Sequence, residues 1–268
     1  MSWEERWSTP VALAALGAVA FVVAAIVVAS QGVGSASGDS ELLRNVDAHR
    51  TAQMVSSILQ AIGVGLLAAP LYYLFRSAKA RSERMRGQLV GIVVAAPLFL
   101  AVLAILSGLS TLHAASDFVS SEVPRLVAKG VALNSDRADE IANEVITDAP
   151  LRPFAAVFGL GGQLGFAIAM VYTCVYAMRV GLLTRFWGSL GMALGAVSFL
   201  FFQFALLWFV YIGILLLRRD SQPPAWAAGE AIPWPTPADK AAAELDTGDD
   251  EGPTGPAPPP ASSESESR

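Results

Sequence analysis

The chain has 268 residues, of which 54% are hydrophobic and only 15% are charged, and its formal net charge is −5. Soluble domains carry about 25% charged residues, and here the hydrophobic residues fall in long uncharged blocks without amphipathic periodicity. This composition excludes an ordinary soluble domain. It predicts an all-α, polytopic transmembrane helix bundle.

The charges are divided unevenly along the chain. Residues 1–219 carry 16 basic and 13 acidic side chains, a net +3, whereas residues 220–268 carry 2 basic and 10 acidic side chains, a net −8. A nucleic-acid-binding protein needs a sustained basic surface, so nucleic acid is not an expected partner. Cys174 is the only cysteine, which excludes an intrachain disulfide.

The first apolar run covers residues 11–29 and follows a short charged segment with Trp3 and Trp7, residues that favour the headgroup region. A signal peptide is the alternative interpretation, because small residues follow at positions 35–37. The acidic leading segment and the length of the run favour a first membrane helix. Residues 30–50 are then expected to form a polar loop.

Two further apolar runs, residues 54–75 and 89–106, flank a connector at residues 76–87 that has five basic residues against one acid. About 20 apolar residues cross the hydrocarbon layer, so both runs can span it. Short basic loops are retained in the cytoplasm. The expected location is therefore the plasma membrane, with the N-terminus and this connector cytoplasmic. Pro70 is expected to kink the second span.

Residues 113–152 make the longest interruption, with seven acidic and four basic side chains. Alternation of the spans predicts that this loop is extracytoplasmic. Two short helices are predicted in it from apolar residues at helical spacing, namely Val119, Val123, Leu126 and Val127, and then Ala138, Ile141, Ala142 and Val145. We expect a cap on the membrane surface or over the bundle, and a ligand-binding lid is the alternative.

Residues 153–178 predict a fourth span, and Arg179 and Arg185 make a second cytoplasmic connector. The uncharged stretch 186–217 would be about 48 Å long as one helix. As a hairpin turning near residues 201–203, it would give two short spans. Six spans are predicted because an even number returns the following arginines to the cytoplasm. Five is the alternative, since no Gly or Pro marks a turn.

The last segment, residues 220–268, is rich in Pro, Ala, Ser and acidic residues. Such a sequence cannot bury enough apolar surface to fold, so it predicts a disordered cytoplasmic tail after a bundle domain at residues 1–219. Trp226, Ile232 and Trp234 are expected to contact the interface or the bundle's inner mouth. Besides the lipid bilayer, the expected partner is a protein that binds the acidic tail.

Five short segments of the sequence are distinctive, namely residues 56–63 (SSILQAIG), 69–76 (APLYYLFR), 178–186 (MRVGLLTRF), 223–226 (PPAW) and 231–235 (AIPWP). They resemble an actinobacterial family of multi-pass integral membrane proteins of unknown function. The resemblance implies a multi-pass bundle with a hairpin after the second basic connector. It implies no activity, cofactor or site residue.

Charged side chains within spans usually mark ion or proton pathways, and the central parts of these spans contain none. We therefore predict no catalytic, cofactor-binding or metal-binding residue and a protein that is not an enzyme. The uncharged polar side chains of the spans are Gln60, Gln163, Tyr172, Tyr176, Gln203 and Tyr211. Such groups either bond neighbouring helices or line a path for a solute.

Two local patterns have structural interpretations. The glycines are expected to let helices approach closely, and they form two sets, Gly159, Gly161, Gly162 and Gly165, and then Gly188, Gly191 and Gly195. His113 and Asp117 lie four residues apart. Because two ligands do not make a metal site, they are predicted to be a polar pair at a helix end.

The leading functional hypothesis is a non-enzymatic membrane protein that acts by helix packing or partner contact. The alternative is a small-solute transporter or channel lined by Gln and Tyr side chains. The two differ in whether Gln60, Gln163 and Gln203 converge on a cavity or bond separate helices. The sequence does not decide the oligomeric state or the substrate.

Overall fold

The computed structural model describes residues 3–33, 36–198, 202–218, 220 and 222–234, and every regular element among them is helical. Four helical stretches are long and apolar enough to cross a membrane, namely Trp3–Ser30, Arg50–Arg81, Gly87–Ala128 and Arg152–Arg179. The predicted all-α fold with several helices able to span a membrane is thereby confirmed. Six spans are not confirmed, because the remaining apolar helix of the described part, Phe202–Leu217, is shorter.

Eleven α-helices are defined in the described ranges. They are α1 (Trp3–Val33), α2 (Asp39–Ala48), α3 (Arg50–Leu66), α4 (Ala68–Arg81), α5 (Val90–Asp117), α6 (Val123–Ala128), α7 (Asp136–Thr147), α8 (Arg152–Arg179), α9 (Arg185–Val197), α10 (Phe202–Leu217) and α11 (Pro224–Ala228). The end of the bundle that holds α2, α6 and α7 is called the cap end. The opposite end, with the turn between α4 and α5, is called the connector end.

The long helices pack side by side around one apolar core. Going around the bundle, α10 packs on α1, α1 on α3, α3 on α5, α5 on α8 and α8 on α9. Helix α4 contacts α1, α5, α8 and α10. The largest fully buried side chains of this core include Trp208, Phe166 and Phe209.

Helices α3 and α4 form one span that is interrupted at Leu67. The Leu67 N–H donates to the carbonyl of Val64 at 3.1 Å, which is a tighter turn than that of an α-helix. Three residues later, Pro70 has no N–H to offer the carbonyl of Leu66. The interruption lies one turn before Pro70, and a kink or an eased inner end at Pro70 itself stays a prediction.

The glycines pack helices together, as predicted. Along α9, Gly188 faces Met178 and Gly195 faces Met170, both on α8. Between them a Cβ on Gly191 would lie 2.6 Å from Trp208 Nε1, which leaves no room for a side chain. On the other side of α8, Gly162 and Gly165 face α5 in the same way, at Leu100 and Ala96.

Helices α9 and α10 form an antiparallel hairpin. The Trp187 ring, early in α9, stacks on Tyr211, late in α10, at 3.6 Å with an interplanar angle of 8°, and Trp208 Nε1 donates to the Trp187 carbonyl at 3.0 Å. The predicted hairpin therefore forms in place of a single long helix. Its arms of 13 and 16 residues are only about 20 and 24 Å long. The turn was expected near residues 201–203, but Phe202 and Gln203 are the first residues of α10. Residues 199–201 lie outside the described residues.

The cap end has its own small core, in which α2, α6 and α7 pack with the turn Phe118–Glu122. Its fully buried side chains include Leu43, Phe118 and Ala142. Helix α7 confirms the second of the two helices predicted within residues 113–152. The first is present as α6, but it continues α5 through Phe118–Glu122 and is not separate from the third span. Val127 was expected on their apolar face and is 60% exposed, because it lies at the end of α6, beyond the buried Leu126.

The chain after α10 returns to the bundle at the connector end. Contacts group Met1–Pro233 into one unit and Trp234–Arg268 into another. Residues 222–233 thus belong to the bundle unit, so the bundle extends beyond the boundary expected at residue 219. The prediction of a disordered tail falls mostly on residues 235–268, which lie outside the described residues.

Candidate functional site

Three glutamines from three different helices line one cavity, which is called the amide cavity. Gln60 comes from α3, Gln163 from α8 and Gln203 from α10, and the cavity has a volume of about 200 Å³. Its other lining residues are Val64, Leu100, Leu103, Ala104, Ser107 and Phe202. The three amides, far apart in sequence, therefore converge and do not serve three separate helix contacts.

The amide cavity lies near the middle of the bundle's height. Gln60 is ten residues from the first residue of α3, and Gln163 is eleven residues from the first residue of α8. Both helices begin at the cap end, so these side chains are about 15 Å below it. This depth is about half the thickness of a hydrocarbon layer, which is about 30 Å.

The first residues of α10 contribute to the wall of the amide cavity. Helix α10 begins at Phe202, and the Phe202 ring packs against Phe166 of α8 with centroids 5.3 Å apart. Gln203 follows immediately and faces the cavity.

The three amides have no hydrogen-bond partner among the described residues. Gln60 and Gln203 are exposed, and Gln163 is half-buried. By contrast, Ser56 on the same helix as Gln60 donates to the Ala25 carbonyl at 2.8 Å. An amide without a partner is costly in an apolar environment. The three amides are therefore open to hydrogen bonds from groups outside the described residues.

No charged side chain of the described residues lines the amide cavity. Its chemistry is that of carboxamides and one serine hydroxyl on an apolar wall, and each of these groups can donate and accept hydrogen bonds. Such a lining suits a neutral ligand, because a charged one would lack a counter-ion.

The tyrosines predicted with the glutamines lie at the connector end. Tyr172 Oη accepts from the Arg86 N–H at 2.9 Å, and Tyr176 Oη donates to the Arg84 carbonyl at 3.4 Å. Tyr211 stacks on Trp187 in the hairpin. The structure thus brings the three glutamines together without the tyrosines.

A second polar cluster, called the inner latch, joins α1, α4 and α11 at the connector end. Its centre is Arg81, whose side chain is only 1% exposed and binds both carboxylate oxygens of Glu4. Arg81 also donates to the carbonyls of Ser77 at 3.0 Å and Ala225 at 3.1 Å. Sequence reasoning placed Arg81 in an exposed basic loop and missed this pair.

Aromatic side chains complete the inner latch. The Tyr73 ring stacks on Trp3 at 5.3 Å and on Trp226 at 5.8 Å, and Trp226 Nε1 donates to the Leu182 carbonyl at 2.9 Å. The Ile232 N–H donates to the Val180 carbonyl at 3.2 Å. The contacts expected of Trp226 and Ile232 at the inner mouth are confirmed, while Trp234 begins the second contact unit.

The cap end is held by an acidic side chain. Asp139 of α7 accepts from the Ser40 N–H at 2.9 Å, in the first turn of α2, and Ser40 Oγ donates to the Leu133 carbonyl at 2.8 Å. Hydrogen bonding from Ser40, first from its side chain and then from its backbone, lowers the pKa of Asp139. The Asp139 carboxylate thus satisfies a backbone donor at the start of another helix.

His113 and Asp117 form a polar pair at the end of α5, as predicted. His113 Nε2 lies 3.3 Å from Asp117 Oδ2, and both side chains are about half exposed. Within the described ranges, no group of three or more His, Cys, Asp and Glu side chains is arranged to hold a metal ion.

Comparison of the chain with protein-family models, curated proteins and solved structures gives no match. The resemblance to the actinobacterial membrane family stays a prediction, and the function has to be argued from the amide cavity.

Proposed function

We propose that this protein is a multi-pass plasma-membrane protein that binds a small uncharged polar solute in the amide cavity, as a transporter or channel does, without an enzymatic step. The observation that carries the proposal is the convergence of Gln60, Gln163 and Gln203 at mid-depth, with no partner among the described residues. Helix-bonding glutamines would instead point at groups of the neighbouring helices.

The lining of the amide cavity defines the class of solute. Carboxamides both donate and accept hydrogen bonds, so they match molecules that do the same, such as water, polyols and urea-like amides. A cavity of about 200 Å³ holds roughly six water molecules at about 30 Å³ each. The solute is therefore small and neutral.

The proposed orientation places the connector end in the cytoplasm. It rests on the five basic residues against one acid at residues 76–87. Helices α9 and α10, predicted as the fifth and sixth spans, then enter the bilayer from the cytoplasm, reach the amide cavity and return. This arrangement keeps residue 218, at the end of α10, cytoplasmic, as six spans would.

Cysteine labelling of intact cells tests the orientation. In a Cys174→Ser background, Ser135→Cys in the cap should react with a membrane-impermeant thiol reagent, and Ser82→Cys in the connector should not. Labelling of Ser82→Cys alone would invert the orientation.

Solute flux into proteoliposomes tests the function. Vesicles with the protein should admit urea or glycerol faster than vesicles without it, as followed by light scattering after an osmotic step. Gln60→Leu should lower the added flux about fivefold, because one hydrogen bond of about 1 kcal/mol is lost. Gln53→Leu is the matched control, since it makes the same change on α3 two turns from the cavity. Equal flux through both variants, or no flux above empty vesicles, would contradict the proposal.

Partner contact is the second candidate function, favoured by the exposure of Gln60 and Gln203 on the open side of the cavity. A polar group on another membrane helix would bond these amides in place of a solute. In that case Gln60→Leu should reduce the mass of the purified assembly in light-scattering chromatography, and Gln53→Leu should not.

A further inference from the structure

A groove runs between α1 and α4 near the connector end, on the outside of the bundle. Its volume is about 370 Å³, which is within the range of ligand pockets. The walls come from aromatic and aliphatic side chains of both helices, among them Trp7, Ala14, Ala69 and Tyr72. This groove is called the α1–α4 groove, and it shares no residue with the amide cavity.

A single arginine closes the connector end of the α1–α4 groove. Arg76 is exposed, and its guanidinium carbon lies 4.0 Å from the centre of the Trp3 ring. No acidic side chain of the described residues lies within ion-pair distance of it. The next two cations of α4 differ, because Arg81 binds Glu4 and Lys79 donates to the Met85 carbonyl at 2.5 Å.

The wall beside Arg76 is held in place by the inner latch. Trp3 stacks on Tyr73, and Tyr73 Oη donates to the Glu4 carbonyl at 2.9 Å. The groove is thus formed before anything occupies it, and little conformational entropy is lost on binding.

We propose that the α1–α4 groove binds one anionic phospholipid, with an acyl chain between α1 and α4 and the phosphate on Arg76. The apolar walls match an acyl chain, and Trp and Tyr side chains favour the depth of the headgroups. The planar guanidinium suits bidentate bonds to a phosphate group. This inference rests on the membrane location of the bundle and does not depend on the solute proposed for the amide cavity.

Native mass spectrometry of the detergent-solubilised full chain tests this site. The protein is titrated with phosphatidylglycerol and, separately, with phosphatidylcholine of the same acyl chains. The first molecule of phosphatidylglycerol should bind more tightly than the first molecule of phosphatidylcholine. Arg76→Gln should weaken the binding of phosphatidylglycerol about fivefold, as expected for one basic side chain at a membrane surface. Arg84→Gln, an exposed arginine of the connector outside the groove, should keep the wild-type affinity.

A second pair of variants tests the acyl-chain part without changing charge. Ala14→Phe fills the groove and should weaken the first molecule of either lipid, whereas Leu13→Phe, at a 60% exposed position outside the groove, should not. Melting temperatures check that each variant is folded.

Two results for the arginine variants would overturn the proposal. One is an unchanged preference for phosphatidylglycerol in Arg76→Gln, and the other is a loss of phosphatidylglycerol affinity in Arg84→Gln as large as that in Arg76→Gln.

Discussion

The inner latch and the amide cavity differ in how their polar side chains are hydrogen-bonded. In the inner latch, the terminal nitrogens of the buried Arg81 bind a carboxylate and two backbone carbonyls, while its Nε has no hydrogen-bond partner among the described residues. The Trp226 ring stacks on Tyr73, and its Nε1 donates to the Leu182 carbonyl. In the amide cavity, three carboxamides have no hydrogen-bond partner among the described residues. Polar groups that form hydrogen bonds with each other stabilise a fold. Polar groups without a partner inside the protein are instead available to bind an external molecule.

This difference predicts opposite consequences of mutation. Changes in the inner latch should lower stability, and changes in the amide cavity should lower solute binding and leave stability intact. The variants below are arranged from the largest expected effect on stability to the smallest.

The largest effect is expected from Glu4→Ala, which leaves the guanidinium of Arg81 buried without its counter-ion. Breaking a buried pair from one side costs about 3 kcal/mol. Denaturation of the purified protein in detergent should show this loss. Glu83→Ala, the single acid of the exposed connector, should change stability by less than about 0.5 kcal/mol. Equal effects in the two variants would mean that the pair does not hold the inner latch.

Trp226→Ala should have the next largest effect, about 2 kcal/mol, because it removes a ring stack and a hydrogen bond from a half-buried site. Trp226→Phe keeps a ring against Tyr73 and should recover about half of the loss. Thermal melting in detergent gives both values. A neutral Trp226→Ala variant would show that α11 rests on the bundle without stabilising it.

A smaller, pH-dependent effect is expected at the cap end from Asp139. Its pKa is lowered below the ordinary value of 3.8 by hydrogen bonding from Ser40, so its stabilising contribution is present above that value and is lost as the pH falls through the folded-state pKa. The melting temperature should therefore fall on acidification, and less steeply in Asp139→Asn. Asp148→Asn, at the exposed end of α7, should keep the wild-type pH profile.

The smallest effect on stability is expected from Gln60→Leu. Its amide makes no hydrogen bond to the described residues, so the melting temperature should be unchanged or slightly raised. Ser56→Ala on the same helix breaks a buried bond to the Ala25 carbonyl and should cost about 1 kcal/mol. A loss in Gln60→Leu as large as that in Ser56→Ala would assign the glutamine to helix packing.

The elements that the sequence predicts well depend on local patterns. Uncharged blocks predict the long helices, and the spacing of Gly188, Gly191 and Gly195 predicts the close packing of α9 on α8. Helix α2 was missed, because only Leu43 and Val46 are buried among its apolar residues. It is stabilised by packing at the cap end, and this packing cannot be predicted from the local sequence pattern.

The amide cavity and the inner latch depend on contacts between distant residues. Whether Gln60 and Gln163 face each other depends on the rotation of α3 and α8, which is set by how both pack on α5. The bond between Arg81 and Glu4 joins residues 77 positions apart. One signal could have found it, since the predicted topology puts acidic residues near the N-terminus at the same end as the basic connector.

The most direct test asks whether water and polar solutes reach the amide cavity. In a Cys174→Ser background, Gln163→Cys is compared with Leu164→Cys, whose position is 54% exposed on the outer surface of α8. If the cavity binds a polar solute, Gln163→Cys should react with a water-soluble methanethiosulfonate, urea or glycerol should slow that reaction, and Leu164→Cys in the lipid should stay unlabelled. Failure of Gln163→Cys to react, or equal reaction at both positions, would contradict a solute-binding cavity at mid-depth.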